Sequence, residues 1–298
     1  RTSGAQQVMD LATKTLCNEG DTIICENPSF IGSLNCFRSY GCRLVGVDVE
    51  ADGMNTAQLE NALKSEKNVR FIYTIPNFQN PSGATMSLEN RHAVYELAKK
   101  YGVLIVEDNP YGDLRVTGKH IEAIKSFDTE GIVIYAGSFS KILSPGIRVG
   151  YSIAPSEISA KMTVGKQGED VHTPVFNQML VDEWMATSDF EGHIEKICGI
   201  YRAKLGLMCD LIESELGSFV EYVRPEGGLF VWCRLPDRVD MPDFCKKAVE
   251  NKVAVVPGIA FLPDENAKSS CIRLNFSTPS SENIEKGMAI LAKVSKMF

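Results

Sequence analysis

Six short runs of β-branched and apolar residues, separated by stretches with helical spacing, occupy the first two-thirds of the chain and restrict its fold more than any other feature. Thr22–Cys25, Arg43–Val49, Val69–Ile75, Val103–Glu107, Ile132–Ala136 and Val149–Ala154 read as strands. Thr56–Lys64 and Leu88–Tyr101 read as intervening helices, with Val94, Leu97, Ala98 and Tyr101 recurring at helical spacing in the second. Nearly continuous apolar strands joined by helices need cover on both faces, which predicts an α/β layer around a mostly parallel sheet. Ligands of such sheets bind in the loops beyond the carboxyl ends of the strands, so chemistry is expected just after each run.

From about Thr187 the pattern changes. A long helical stretch, Phe190–Leu216, precedes strands at Phe219–Val223 and Leu229–Arg234, a helix at Asp243–Asn251 and further strands at Val253–Val256 and Cys271–Phe276. Ser281–Val294 reads as a closing helix with Ser281 at its N-cap. The expectation is a large unit over residues 1–187 and a smaller α+β unit over 188–298. A chain of 298 residues suffices for both.

The charge balance, 31 Lys and Arg against 38 Asp and Glu, gives a net charge of −7 with no basic block. That argues against nucleic acid or an anionic membrane as partner of this segment. No apolar run approaches the roughly 18 to 20 residues of a membrane span. The nine cysteines are odd in number and form no C-x-x-C pair, which reads as reduced, mostly buried thiols in a reducing compartment such as the cytoplasm. The four histidines are scattered, with no spacing that suggests a metal site. The first residue is Arg1 and no signal-peptide pattern follows it, so the chain reads as a piece that starts inside a longer protein.

Three strand ends carry chemistry. Ser138-Phe139-Ser140-Lys141 follows an apolar strand in a small-residue turn, with Arg148 seven residues after the lysine. A lysine there can form an imine with an aldehyde, and serine hydroxyls with an arginine suit a phosphate. Glu107-Asp108-Asn109-Pro110-Tyr111 puts a carboxylate and a phenol at a second strand end, and Asn77-Phe78-Gln79-Asn80-Pro81-Ser82-Gly83 puts amides in a Pro/Gly turn at a third. Taken singly, each has a plainer reading. Lys141 alone would be a solvated loop lysine, Arg148 a surface pair, Asp108 an N-cap, Asn80 a turn brace and Tyr111 core packing.

Together, Asn80-Pro-x-Gly83, Asp108-x-x-Tyr111 and Ser138-x-Ser140-Lys141 through Arg148 resemble the pyridoxal-phosphate site of class I/II aminotransferases, the aspartate-aminotransferase-like fold. The similarity runs from Thr2-Ser3-Gly4-Ala5-Gln6-Gln7 to Arg273-Leu274-Asn275-Phe276-Ser277 and is nearest to the aminoadipate, kynurenine and aromatic branch. It implies that Lys141 holds the cofactor covalently and then acts as base at the substrate Cα. Asp108 would keep the pyridine nitrogen protonated, and Tyr111 and Asn80 would hydrogen-bond the ring 3′-oxygen. Ser138, Ser140, Arg148 and the backbone of Gly4, Ala5 and Gln6 would hold the phosphate, although Ala5 stands where the family usually has a hydroxyl. Without the resemblance, Gly4-Ala5-Gln6 is an ordinary helix start.

Phe30, otherwise a core aromatic, would stack on the ring. Arg273, otherwise a surface ion pair, would take the substrate α-carboxylate, with Asn80 beside it. The implied activity is transfer of an amino group from an L-amino acid, aromatic or 2-aminoadipate-like, to a 2-oxo acid such as 2-oxoglutarate, in a homodimer. Relatives carry roughly 90 to 100 residues before the segment matching Arg1. Two other readings share the motifs: a cofactor-dependent C–S β-lyase, and the ligand-sensing domain of a winged-helix transcription regulator.

Overall fold

The computed structural model describes residues 1–298. In chain order the structure begins with α1 (Ala5–Leu16), β1 (Thr22–Asn27), α2 (Ile31–Ser39), β2 (Arg43–Glu50), β3 (Gly53–Met54), α3 (Thr56–Ser65), β4 (Val69–Thr74), α4 (Leu88–Tyr101), β5 (Leu104–Asp108), β6 (Val133–Ser138), β7 (Gly150–Ile153), α5 (Ser156–Glu169) and α6 (Val175–Thr187). Its seven-stranded sheet has the order β3-β2-β1-β4-β5-β6-β7. The five strands β2-β1-β4-β5-β6 are parallel, while β3 and β7 run antiparallel at the two edges. This is the α/β architecture expected from the strand–helix alternation.

Side chains alternate across the pleat and feed two cores. Ile23, Cys25, Phe71, Tyr73, Val106 and Ile134 face α1, α2 and α5 through Val8, Leu11, Leu34, Phe37 and Met162. Ile24, Ile72, Ile105 and Val133 face α3 and α4 through Leu59, Leu63, Val94 and Ala98. Burial on both faces explains why these strands read as continuous apolar runs.

The remaining elements are α7 (Phe190–Leu211), β8 (Glu221–Tyr222), β9 (Phe230–Arg234), α8 (Met241–Glu250), β10 (Val256–Pro257), β11 (Cys271–Asn275) and α9 (Ser281–Ser295). A four-stranded sheet, β10-β11-β9-β8, packs Val231, Cys233, Ile272 and Leu274 against Phe244, Ile284, Met288 and Leu291. Helix α7 spans two cores: Phe190, Ile194 and Ile197 pack on the core shared with α1, whereas Leu205, Met208 and Cys209 lie in the core of the four-stranded sheet. No helix is long and apolar enough to cross a membrane.

Most element ends shift from expectation by one or two residues, and four differ in kind. The helix starting at Phe190 changes to a π-type turn at Ile212–Leu216, where Ile212 and Leu216 are buried, and it stops at Gly217 with φ +48°. Phe219 ends a 3₁₀ turn, so only Glu221 and Tyr222 pair with β9. Val253–Val255 is not strand: the chain turns at Lys252 (φ +71°), the Val253 N–H still bonds the Ala248 carbonyl of α8, and pairing with β11 begins at Val256. Ser280, not Ser281, caps α9, its hydroxyl accepting the Asn283 N–H at 3.2 Å.

Candidate active site

The carboxyl ends of β1, β4, β5 and β6 open into one cavity of about 360 Å³. Its wall includes Ala5, Gln6, Phe30, Asn80, Asp108, Tyr111, Ser138, Ser140, Lys141, Arg148 and Arg273. Every side chain singled out in the sequence is therefore on one surface. Gly4 sits behind it, against Arg148.

Asp108 ends β5 and is 4% exposed. Its Oδ2 accepts the Tyr73 hydroxyl at 2.8 Å, and the Tyr73 oxygen in turn accepts from Ser33 Oγ at 2.9 Å. Asp108 Oδ1 is buried with no partner, although Asp108 itself lines the cavity. Burial pushes the carboxyl up to about 6, against the downward pull of the Tyr73 hydrogen bond. A buried acceptor of this kind calls for a donor that carries positive charge.

Lys141 lies in the turn after β6. Burial lowers its pKa, and the neighbouring Arg148 and Arg273 charges add to the effect. The shift enlarges the share of neutral amine, which is the form that attacks a carbonyl or takes up a proton.

On the other side of Lys141 the groups form a cup for an anion. Ser138 Oγ donates to Ser140 Oγ at 2.9 Å and accepts the Ser140 N–H at 3.1 Å. Arg148 Nη1 donates to Ser140 Oγ at 3.2 Å, and Nη2 donates to the Ser3 carbonyl at 2.8 Å. The α1 N-terminus faces the same space, and its N-cap, Gly4, offers no side-chain acceptor. Free first-turn amides and a helix dipole favour negative charge here. Reciprocal hydrogen bonds between Thr2 and Gly150 anchor the approach to this helix, and Gly4 has φ +84°. A Cβ at Gly4 would run into the Arg148 guanidinium, so the close approach requires glycine.

The third side is closed by Arg273 of β11, which meets Asn80 and Tyr111. Asn80 Nδ2 donates to the Tyr111 hydroxyl at 3.3 Å, and Arg273 Nη1 donates to Asn80 Oδ1 at 2.7 Å. The Arg273 guanidinium lies 4.0 Å from the Phe230 ring centroid and 4.9 Å from that of Phe261, and its Nε has no partner. Two aromatic faces hold the fork while leaving donors for a planar anion.

Tyr73, Ser33, Phe230 and Phe261 were not singled out in the sequence. Tyr73 sits inside an apolar strand run and reads as core. The one available signal is that a buried tyrosine hydroxyl needs a partner. Phe230 meets Arg273 across the small sheet, and Phe261 reaches it from the 3₁₀ turn after β10.

The family described as "Aminotransferase class I and II" matches residues 1–291. Aromatic-amino-acid aminotransferase 1 of Thermococcus litoralis is 40% identical over 99% of the chain and 72% of its own length. The crystal structure of Pyrococcus horikoshii kynurenine aminotransferase, in complex with PMP and with KYN as substrate and KYA as product, superposes with TM-score 0.96 at 37% identity, over 99% of this chain and 74% of that one. LysN, an α-aminoadipate aminotransferase from Thermus thermophilus solved with N-(5'-phosphopyridoxyl)-L-leucine, gives TM-score 0.95 at 36% identity, over 99% and 76%.

Proposed function

The chain belongs to the class I and II aminotransferases, with pyridoxal 5'-phosphate as cofactor, and from that premise we propose that it moves the amino group of an aromatic or 2-aminoadipate-like L-amino acid to 2-oxoglutarate or a similar 2-oxo acid. The observation that carries amino-group transfer is the unpartnered, buried Asp108 Oδ1 sharing a cavity with the Lys141 amine and the anion cup of α1, and the choice of donor follows the aromatic-amino-acid and α-aminoadipate relatives. A ring nitrogen, an aldehyde and a phosphate on one planar molecule match those three groups. Bound there, the cofactor supplies an aldehyde that exchanges amino groups and a ring that takes up the electron pair released at Cα.

The chain's own residues do the rest. Lys141 Nζ is the base that moves the proton from the substrate Cα, its pKa held down by burial and two guanidinium groups. Asp108 Oδ1 accepts the ring N–H and holds its proton in place. Tyr111 and Asn80 donate to the ring 3′-oxygen, and Phe30 covers one face. Ser138, Ser140, Arg148 and the amides of Gly4, Ala5 and Gln6 hold the phosphate. At Ala5 a backbone amide serves where a relative's hydroxyl would. Arg273, beside Asn80, takes the α-carboxylate by charge-assisted hydrogen bonds. Residues 1–187 are then the cofactor-binding unit and 188–298 the small unit, closing the site from the Arg273 side.

Gly4→Ala is expected to raise the dissociation constant of pyridoxal phosphate about 10-fold or more, the cost of one displaced charge-assisted hydrogen bond. Fluorescence titration of the apoprotein checks it, and an unchanged constant removes Arg148 and α1 from the phosphate site. The substrate reading is tested with a panel of amino donors against 2-oxoglutarate. Phenylalanine, kynurenine and 2-aminoadipate are expected to convert the bound cofactor to its pyridoxamine form faster than alanine or valine. Release of pyruvate, ammonia and a thiol would point to the β-lyase instead.

We further propose a cytoplasmic homodimer. All nine cysteines are unpaired, and α6 exposes Val175, Phe176, Met179 and Leu180 together. Sedimentation at micromolar concentration checks the dimer.

A further inference from the structure

We propose that Glu26 and Gln79, neither of which touches the cavity, are positioning residues for the substrate-carboxylate side of the site; the inference rests on the assignment of Arg273 and Asn80 to that side. Glu26, in β1, is 2% exposed. Its hydrogen-bond partners are all neutral donors. Oε1 accepts from Thr74 Oγ1 at 2.5 Å and from the Ile75 N–H at 3.2 Å, and Oε2 accepts from Ile75 N–H at 3.1 Å and Gln79 Nε2 at 3.0 Å.

Gln79 is 1% exposed. Its amide nitrogen also donates to the Pro28 carbonyl at 2.7 Å, while its Oε1 accepts the Ser82 N–H at 2.9 Å and the Ser82 hydroxyl at 2.7 Å. Two donors and two acceptor positions are all in use, which exhausts the amide.

The pair joins two segments of the site. Pro28 lies two residues before Phe30, and Asn80 follows Gln79 directly. Bracing a turn needs only a neutral partner, and burying a carboxylate without a cation is costly. What Glu26 adds is polarity: Oε2 accepts from both the Ile75 N–H and Gln79 Nε2, whether or not Oε1 carries a proton towards Thr74, so it fixes which end of the Gln79 amide points towards β1 and which towards Ser82. With Gln79 locked, the backbone at Asn80 is set, and Asn80 Oδ1 meets Arg273 Nη1 at 2.7 Å. Freed from the pair, Asn80 would let the Arg273 fork turn between its two aromatic faces.

The test is calorimetric titration of 2-oxoglutarate, and separately of phenylpyruvate, into the pyridoxal-phosphate-loaded protein, which has no amino group to give them. Glu26→Gln and Gln79→Met are expected to raise both dissociation constants by the same factor, about 5- to 20-fold, a weakening that falls short of losing one whole charge-assisted hydrogen bond because Arg273 itself is kept. KM for donor and acceptor should rise in parallel, with kcat changed less than about 3-fold. A residue that merely supports the fold would lower the melting temperature without that split. Arg273→Met serves as reference. If it weakens both ligands while the two variants leave them unchanged, the positioning role is overturned alone. If Arg273→Met leaves both constants unchanged, the carboxylate assignment falls and takes the inference with it. Should neither buried variant fold, half-buried Ser82→Ala decides: about a 2- to 5-fold rise supports the role and no change overturns it.

Discussion

Lys141→Ala is expected to fold normally and to lose turnover by about 10⁴-fold or more, combining the loss of a general base with the loss of the amine that exchanges with the substrate. Lys141 is the one primary amine on the cavity wall, where the other cations are Arg148 and Arg273. A guanidinium is always protonated and cannot substitute for it. The visible absorbance of the lysine-bound cofactor should vanish with the side chain. Stability should not suffer. The native state lowers the Lys141 pKa through burial and two adjacent guanidinium groups, so carrying the charge there penalises folding at every pH below the unfolded-state pKa. At pH 7 the apo variant should melt at the same temperature as the parent or slightly higher, and that advantage should disappear as pH rises past the lysine range. Steady-state transamination that survives in the variant would remove Lys141 from the mechanism.

Asp108→Asn is expected to lower kcat about 10²- to 10³-fold, the scale for removing one preorganised charge from a buried reaction centre. The asparagine carbonyl can still accept the Tyr73 hydroxyl, so packing is kept. What is lost is the negative charge that holds a proton on the ring nitrogen. A second consequence is visible without cofactor. Asp108 has its carboxyl raised by burial from an ordinary 3.8 to about 6, so the native state binds this proton more tightly than the unfolded chain. That contribution to stability is complete below pH 4 and is lost as pH rises through 6, amounting to about 3 kcal/mol. The apo parent should therefore lose stability between pH 4 and 6 relative to apo Asp108→Asn. Glu26, which burial pushes up to about 7 with a smaller push from the Asp108 charge, titrates in both proteins, and only that smaller part changes between them. Denaturant melts at several pH values measure the difference, and a pH-independent difference would mean that Asp108 is not a buried acid without a cationic partner.

Much of the site was legible because its main groups sit where local sequence has meaning. Asp108 and Ser138 are the last residues of β5 and β6, and Lys141 follows in the next turn. An apolar run followed at once by a charge is readable as such, and the rule that parallel sheets bind ligands at their carboxyl edge places those groups together. Helix ends were harder. Ser280 and Ser281 are equivalent as sequence, and only the Asn283 N–H aimed at Ser280 separates them. Val253–Val255 has strand composition but is drawn back towards α8 by the hydrogen bond to Ala248.

Residue types and their order along the chain were enough for the strand–helix alternation, the cavity at the strand ends, and the amine, carboxylate and anion cup within it. Those signals lie within a few residues of each other, where backbone geometry alone relates them. Docking of the two sheets decided what faces that cavity from the far side: Arg273 meeting Asn80 across 193 residues, held between Phe230 and Phe261. Folding also decided which buried polar groups support it, from Ser33 and Tyr73 behind Asp108 to Glu26 holding Gln79 across 53 residues. A hydrogen bond inside a core depends on the direction of a side chain in three dimensions, and a tyrosine or glutamate in an apolar run carries no mark of the partner it will find.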